Sequence, residues 1–153
     1  MVLTTGSTLH SLPHEDILRE LSGDVMLVIE VAAALIRDAA GRYLITRRRS
    51  GSHLEGLWEF PGGKREPSES FEECLRRELI EELSATFKIG KLAETIRWEY
   101  PDRRVVLRFH ECTLESGTIE PREGQAMAWV EPARLSDYDF PPADRALLDR
   151  LLA

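Results

Sequence analysis

The sequence is short of several things, and each shortage removes a class of protein. It has two cysteines in 153 residues, Cys74 and Cys112, with neither the number nor the spacing of a disulfide framework or a cysteine metal site. No apolar run reaches the ~20 residues that cross a bilayer. The N-terminus lacks the basic-then-apolar pattern of a secretory signal. A cytoplasmic, reducing setting without a membrane partner is the expectation. Basic residues are outnumbered, 20 against 27 acidic, for a net charge of −7. A field of that sign works against tracking a nucleic acid polymer through its phosphates. A small phosphorylated ligand stays open, because carboxylates can hold a divalent cation that phosphates then share. There is no internal repeat and no low-complexity segment.

What is present is the balance of a globular chain, 42% hydrophobic and 31% charged. The length suits one domain with its own core. Residues 1–24 read as an extension: a small polar start, then two turns of helix with Ile17, Leu18 and Leu21 on one side, broken at Ser22-Gly23-Asp24. Residues 25–153 read as the domain. Val25 to Ile36 is a buried strand, and Tyr43 to Arg49 is a strand expected to pair back on it. A loop at 50–57 leads to the short extended piece Trp58-Glu59-Phe60, halted by Pro61-Gly62-Gly63. Ser70 to Leu83 is a helix with a Ser70/Glu73 capping box and an apolar stripe of Phe71, Cys74, Leu75, Leu79 and Leu83. Strands are expected near 86–99, 104–114 and 126–131, and Pro142 opens a last helix. Trp98 and Trp129 are assigned to the core. The order predicts an α/β fold of the α+β type, a mixed sheet between two helices.

Glu78, Glu81 and Glu82 stand at i, i+3 and i+4, on one helical face. Their mutual repulsion costs stability unless something neutralises it. Either the face is solvated, or it holds a hard divalent cation such as Mg²⁺, with Mn²⁺ as the alternative. Two neighbours favour the cation. Arg77 lies at i, i+4 to Glu81 and can fix carboxylate geometry. The Pro61-Gly62-Gly63-Lys64 turn permits close backbone approach, so that a main-chain carbonyl can complete the site. Lys64 is then either a surface residue or a point charge beside a polyphosphate.

Gly63, five residues, Glu69, seven residues, then Arg77-Glu78-Leu79-Ile80-Glu81-Glu82 resembles the Nudix box, G-x5-E-x7-R-E-U-x-E-E-x-G-U with U a bulky aliphatic. Ser84 and Ala85 depart from its closing glycine and aliphatic. Serine in the left-handed conformation expected there costs roughly 1 kcal/mol. Leu57-Trp58-Glu59-Phe60-Pro61-Gly62-Gly63-Lys64, Tyr100-Pro101-Asp102-Arg103, Glu123-Gly124-Gln125 and Phe140-Pro141-Pro142-Ala143 look like the MutT branch of that family.

The resemblance implies an α/β/α sandwich. It implies Mg²⁺-dependent hydrolysis of a nucleoside triphosphate to monophosphate and pyrophosphate, with oxidised guanine nucleotides such as 8-oxo-dGTP as the branch's preference. By resemblance, Glu78, Glu82 and the Gly62 carbonyl are metal ligands, Glu123 is a further carboxylate that reaches the metal or the attacking water, and Glu81 joins the cluster directly or through water. Arg77 orients Glu78, and Glu69 partners Arg77 or the loop. Arg48, His53 and Arg103 correspond to phosphate or loop contacts. Phe60 packs on a base or in the core, and Asp102 caps a turn or meets the base. Asp144 stands where the MutT branch has asparagine. An ionised Asp144 only accepts hydrogen bonds and would suit cytidine's amine. A protonated one can also donate, as oxidised guanine requires. A third reading makes it a cap of the last helix. Cytidine nucleotides are therefore the alternative substrate. A non-catalytic nucleotide-binding regulator is a further alternative, though one that would not need all four carboxylates. The expected assembly is a monomer or homodimer.

Overall fold

The computed structural model describes residues 27–48 and 56–152. Strand β1 (Leu27–Ile36) runs parallel to β6 (Arg103–Ser116) along its whole length and antiparallel to the short β4 (Gly62–Lys64) on its other edge. β5 (Thr86–Tyr100) pairs antiparallel with β6, giving a four-stranded mixed sheet in the order β4-β1-β6-β5. A second, antiparallel sheet has the order β3-β2-β7, from β2 (Tyr43–Arg47), β3 (Trp58–Glu59) and β7 (Met127–Val130).

The expected pairing of the Tyr43 strand back onto β1 is corrected by this arrangement. Both edges of β1 are already taken, by β4 and β6. Pairing of β2 with the β1 side is limited to one bridge beyond the end of β1, Arg37 to Tyr43, and β2 turns into the second sheet. The turn between them is held by Asp38, whose carboxylate accepts from the N–H groups of Ala40 and Arg42 at 3.0 and 2.9 Å.

β1 is buried on both faces, and its alternation divides the core in two. Ala33 and Leu35 face a cluster with Phe60, Phe109, Phe140 and Leu147. Ala32, Ala34 and Ile36 face Cys74, Leu75, Leu79 and Leu83. The second group belongs to helix α1 (Phe71–Leu83), and Leu147 to helix α2 (Pro142–Leu151). One helix therefore covers each side of the mixed sheet, which is the expected α/β/α sandwich. A 3-10 segment (Pro132–Asp137) precedes α2.

α1 begins at Ser70 with the anticipated capping box: Glu73 N–H donates to the serine hydroxyl at 3.0 Å, and Ser70 N–H to the Glu73 carboxylate at 2.8 Å. It ends at Ser84, which takes the left-handed conformation, φ 59°, that the family assigns to glycine. Trp98 is 36% exposed rather than core. It sits on β5, which among the described residues is the outer strand of the sheet. Trp129 is half-buried against the α1-side cluster, as expected. Residues 1–26 and 49–55, which include His53, lie outside the described residues.

Candidate active site

The strand-turn-helix from β4 to α1 brings the acidic residues together. Gly62 and Gly63 pair with Ala33 and Ala32 of β1. At Gly62, φ is +154°, and an added Cβ would lie 2.0 Å from the Ala32 carbonyl oxygen. At Gly63 an added Cβ would lie 2.3 Å from the Glu78 carboxyl carbon. Only glycine lets this strand run so close to both β1 and the helix.

Arg77 fixes the helix side. Its guanidinium grips Glu69 in a fork, at 3.0 Å through Nε and 2.6 Å through Nη2, and Nη1 reaches Glu78 at 3.0 Å. Nη2 also donates to the Lys64 carbonyl at 3.3 Å. Glu69 in turn accepts from the Glu66 N–H at 2.9 Å. It therefore holds both Arg77 and the loop, the two roles that the sequence left as alternatives. These charge-assisted bonds raise the Arg77 pKa further and hold the Glu69 carboxyl below its usual range.

The cavity beside them has a volume of about 480 Å³. Glu78, Glu82, Gly62, Gly63 and Glu123 line one end, and Asp144, Ala143, Tyr100 and Arg103 also line it, with Arg48, Glu59, Phe60 and Lys64. Burial pushes the Glu82 carboxyl up to about 9, helped by repulsion from Glu59, Glu78 and Glu123, against a hydrogen bond from the Gly62 N–H. Glu78 and Glu59 are raised as well, chiefly by burial. Glu78 and Glu82 are close enough to share a hydrogen bond. Two ionised carboxylates cannot do that without a proton or a cation between them. A hard cation with oxygen ligands meets this donor set.

Among the described residues no three acidic, histidine or cysteine side chains close into a ready-made cage. Mg²⁺ does not require one, since it binds through one or two carboxylates, waters and substrate phosphates.

Glu81 is exposed and turned toward Arg77, 3.5 Å away, and does not line the cavity. Glu123 is on an exposed turn that is tied to the helix end. Its N–H donates to Gln125 Oε1 at 3.0 Å, and Gln125 Nε2 donates to the Glu82 carbonyl at 3.0 Å. Asp102 is also exposed, paired with Arg103 at 3.1 Å, and lies off the cavity wall. Phe60 is in the core, stacked on Phe140 at 5.5 Å, and its ring also forms part of the cavity wall.

Asp144 is 7% exposed, and burial raises it to about 7. It is not the helix cap: Pro141 holds that position. Glu59 is the residue without a prior assignment. It meets Arg48 Nε at 3.2 Å and stands within electrostatic reach of both Glu82 and Asp144. Glu59, Gln125 and Tyr100 all stand in the segments that resemble the MutT branch, and that resemblance is the signal for them, but it gives none of them a role of its own.

A Gly-Gly strand running into a carboxylate helix, on one side of an α/β/α sandwich, is the architecture of the Nudix class. A model of the NUDIX domain matches residues 32–150. The 8-oxo-dGTP diphosphatase of Haemophilus influenzae is 38% identical over 125 residues, 82% of this chain and 92% of that one. The CTP pyrophosphohydrolase of Escherichia coli is 38% identical over 128 residues, 84% and 94% of the two chains. The crystal structure of a MutT protein from Methanosarcina mazei superposes with a TM-score of 0.73 at 28% identity, covering 82% of this chain and 94% of that one. This chain belongs to the NUDIX domain family and is a hydrolase of acid anhydrides.

Proposed function

We propose that this hydrolase converts a nucleoside triphosphate to its monophosphate and pyrophosphate, and that it clears oxidised purine nucleotides of the 8-oxo-dGTP kind. One observation carries the reading: a single cavity joins the carboxylates of α1 to the buried Asp144 of α2. The first wall suits phosphates and the second a base. Two relatives whose names specify 8-oxo-dGTP and CTP, both 38% identical, bracket the substrate.

Glu78, Glu82, Glu123 and the Gly62 carbonyl would hold a divalent cation, Mg²⁺ or Mn²⁺. Such an ion would gather phosphate oxygens and water and neutralise the negative charge on the phosphoryl and leaving-group oxygens. Arg77 holds Glu78 in place. Arg48, Arg103 and Lys64 neutralise the phosphate chain, and ordered cations of this kind act where charge grows in the transition state. Near neutral pH Asp144 spends much of its time protonated, as its burial favours. A neutral carboxyl donates and accepts at once, so it can meet O6 and N7–H of an oxidised guanine. Ionised, it accepts only and suits the cytosine amine, which makes cytidine nucleotides the second reading. Residues 25–153 form the working domain, and residues 1–24 are an extension to it.

The test is pyrophosphate release from 8-oxo-dGTP, dGTP, CTP and dCTP with Mg²⁺. The highest kcat/KM on 8-oxo-dGTP is expected. A ranking led by CTP or dCTP replaces the first reading with the second. Nucleotide binding without turnover of any of them would leave a regulatory module.

A further inference from the structure

Two arginines hold the loop between β4 and α1. Arg77 takes the Glu69 carboxylate and the Lys64 carbonyl. Arg65, one residue beyond β4, takes the rest. Its N–H donates to the Glu30 carbonyl of β1 at 2.9 Å, which carries the pairing of β1 and β4 one step further. Its guanidinium meets the Glu30 carboxylate through Nε at 2.9 Å and also through Nη2. Nη1 donates to the Glu69 carbonyl at 2.8 Å and to the Glu66 carbonyl at 3.4 Å. The same guanidinium lies over the ring of Phe71, the first residue of α1, at 5.3 Å. Glu30 is only 6% exposed. Desolvation offsets most of the attraction in a buried ion pair, so this one adds little to stability. What it supplies is geometry: a planar fork that ties a loop to the central strand.

We infer that Arg65, anchored by Glu30, is a positioning residue for Glu78, acting through Glu69 and Arg77. The inference rests on the assignment of Glu78 as a cation ligand. Each link is a hydrogen bond. Arg65 holds the main chain at Glu69, the Glu69 carboxylate holds Arg77, and Arg77 Nη1 reaches Glu78 at 3.0 Å. The anchor matters because other carboxylates compete for Arg77. Glu81 lies 3.5 Å and Glu66 3.9 Å from its guanidinium. Glu66 and Glu69 both belong to the turn that Arg65 pins. If Glu69 drifts, Arg77 turns to Glu66 or Glu81 and releases Glu78. Loosening the direct partner of a metal ligand costs about 10–100-fold in metal affinity or activity. Arg65 stands two contacts further out, so about a fivefold effect is expected.

Two variants separate positioning from stability. Glu30→Leu combined with Arg65→Met replaces the whole pair by apolar side chains, a change that buried pairs tolerate. Arg65→Lys keeps a charge opposite Glu30 but, lacking the fork, gives up the Glu69 and Glu66 carbonyls. Arg65→Lys decides alone if the double variant does not fold. Three measurements are compared with the parent and with Glu78→Gln. They are the urea midpoint, Mn²⁺ affinity by electron paramagnetic resonance without nucleotide, and kcat and KM for pyrophosphate release at limiting Mg²⁺. The urea midpoint should stay within about 0.3 M of the parent's. Mn²⁺ should bind about fivefold more weakly, and kcat should fall about fivefold with KM for the nucleotide within about twofold. In an Arg77→Lys background, Arg65→Lys should weaken Mn²⁺ binding no further. Mn²⁺ affinity like the parent's in both variants, while Glu78→Gln weakens it, overturns the positioning role alone. Additive losses with Arg77→Lys overturn it too, since Arg65 would then act by another route. A loss of affinity that only accompanies a lower urea midpoint reduces the pair to a structural tie. Unchanged affinity in Glu78→Gln overturns the ligand assignment and this inference with it.

Discussion

Asp144 makes stability depend on pH in a direction that can be worked out in advance. Its carboxyl is 7% exposed and moves from an ordinary 3.8 to about 7 in the folded protein. Burial is the main cause, the Glu59 carboxylate adds to it, and the Arg48 guanidinium and the residue's own N–H oppose it. Tyr100 also faces it from the end of β5. A raised folded value means that the folded state holds the proton more tightly than the unfolded chain does. The stability contribution is thus complete below about pH 4 and is lost as pH rises through about 7. At about 1.4 kcal/mol per pH unit between the two values, the whole effect is up to about 4 kcal/mol. About 2–3 kcal/mol of it falls between pH 5 and 8.

Asparagine at 144 cannot titrate, so the difference between parent and Asp144→Asn isolates this one group. The neighbouring carboxylates of α1 titrate in both proteins and cancel. Urea unfolding in EDTA at half-unit steps from pH 5 to 8 should show the parent losing about 2–3 kcal/mol relative to the variant. In thermal melts the same loss is about 5–10 °C. Parallel curves, within about 0.5 kcal/mol across that range, would refute a buried carboxyl that holds its proton near neutrality.

Glu82→Gln should fold, because the change is nearly isosteric, but should lose at least about 90% of turnover at limiting Mg²⁺, since an amide is a poor ligand for a hard cation; near-normal activity would remove Glu82 from the ligand set. Ser84→Gly relieves a left-handed serine, φ 59°, and should raise stability by about 1 kcal/mol in urea unfolding without changing kcat/KM. A chain beginning at Val25 should keep its turnover; one that folds but releases no pyrophosphate would show that residues 1–24 belong to the site.

Periodicity and local chemistry made much of this protein legible in the sequence. Helix α1 was marked by its capping box and apolar stripe, both of which depend on residues within a few positions of one another. The contacts among Arg77, Glu69 and Glu78 follow from helical spacing and one short loop. Even the left-handed Ser84 was readable, because the end of a helix is a local event. The partners of β1 were not. Whether β2 or β4 takes its free edge depends on what else competes for that edge, and adjacency in sequence pointed to β2. Trp98 was misplaced for a related reason, since a strand's own alternation does not say whether it lies at the sheet's margin. Asp144 was visible as a residue, but its protonation depends on burial and on Glu59 and Arg48, which other segments of the chain supply. Glu59, Gln125 and Tyr100 acquire meaning only where distant segments meet. Sequence alone determined which carboxylates a cation could find on one helix. The tertiary structure decided what stands opposite them, because burial and electrostatic neighbours are properties of packing and not of order along the chain.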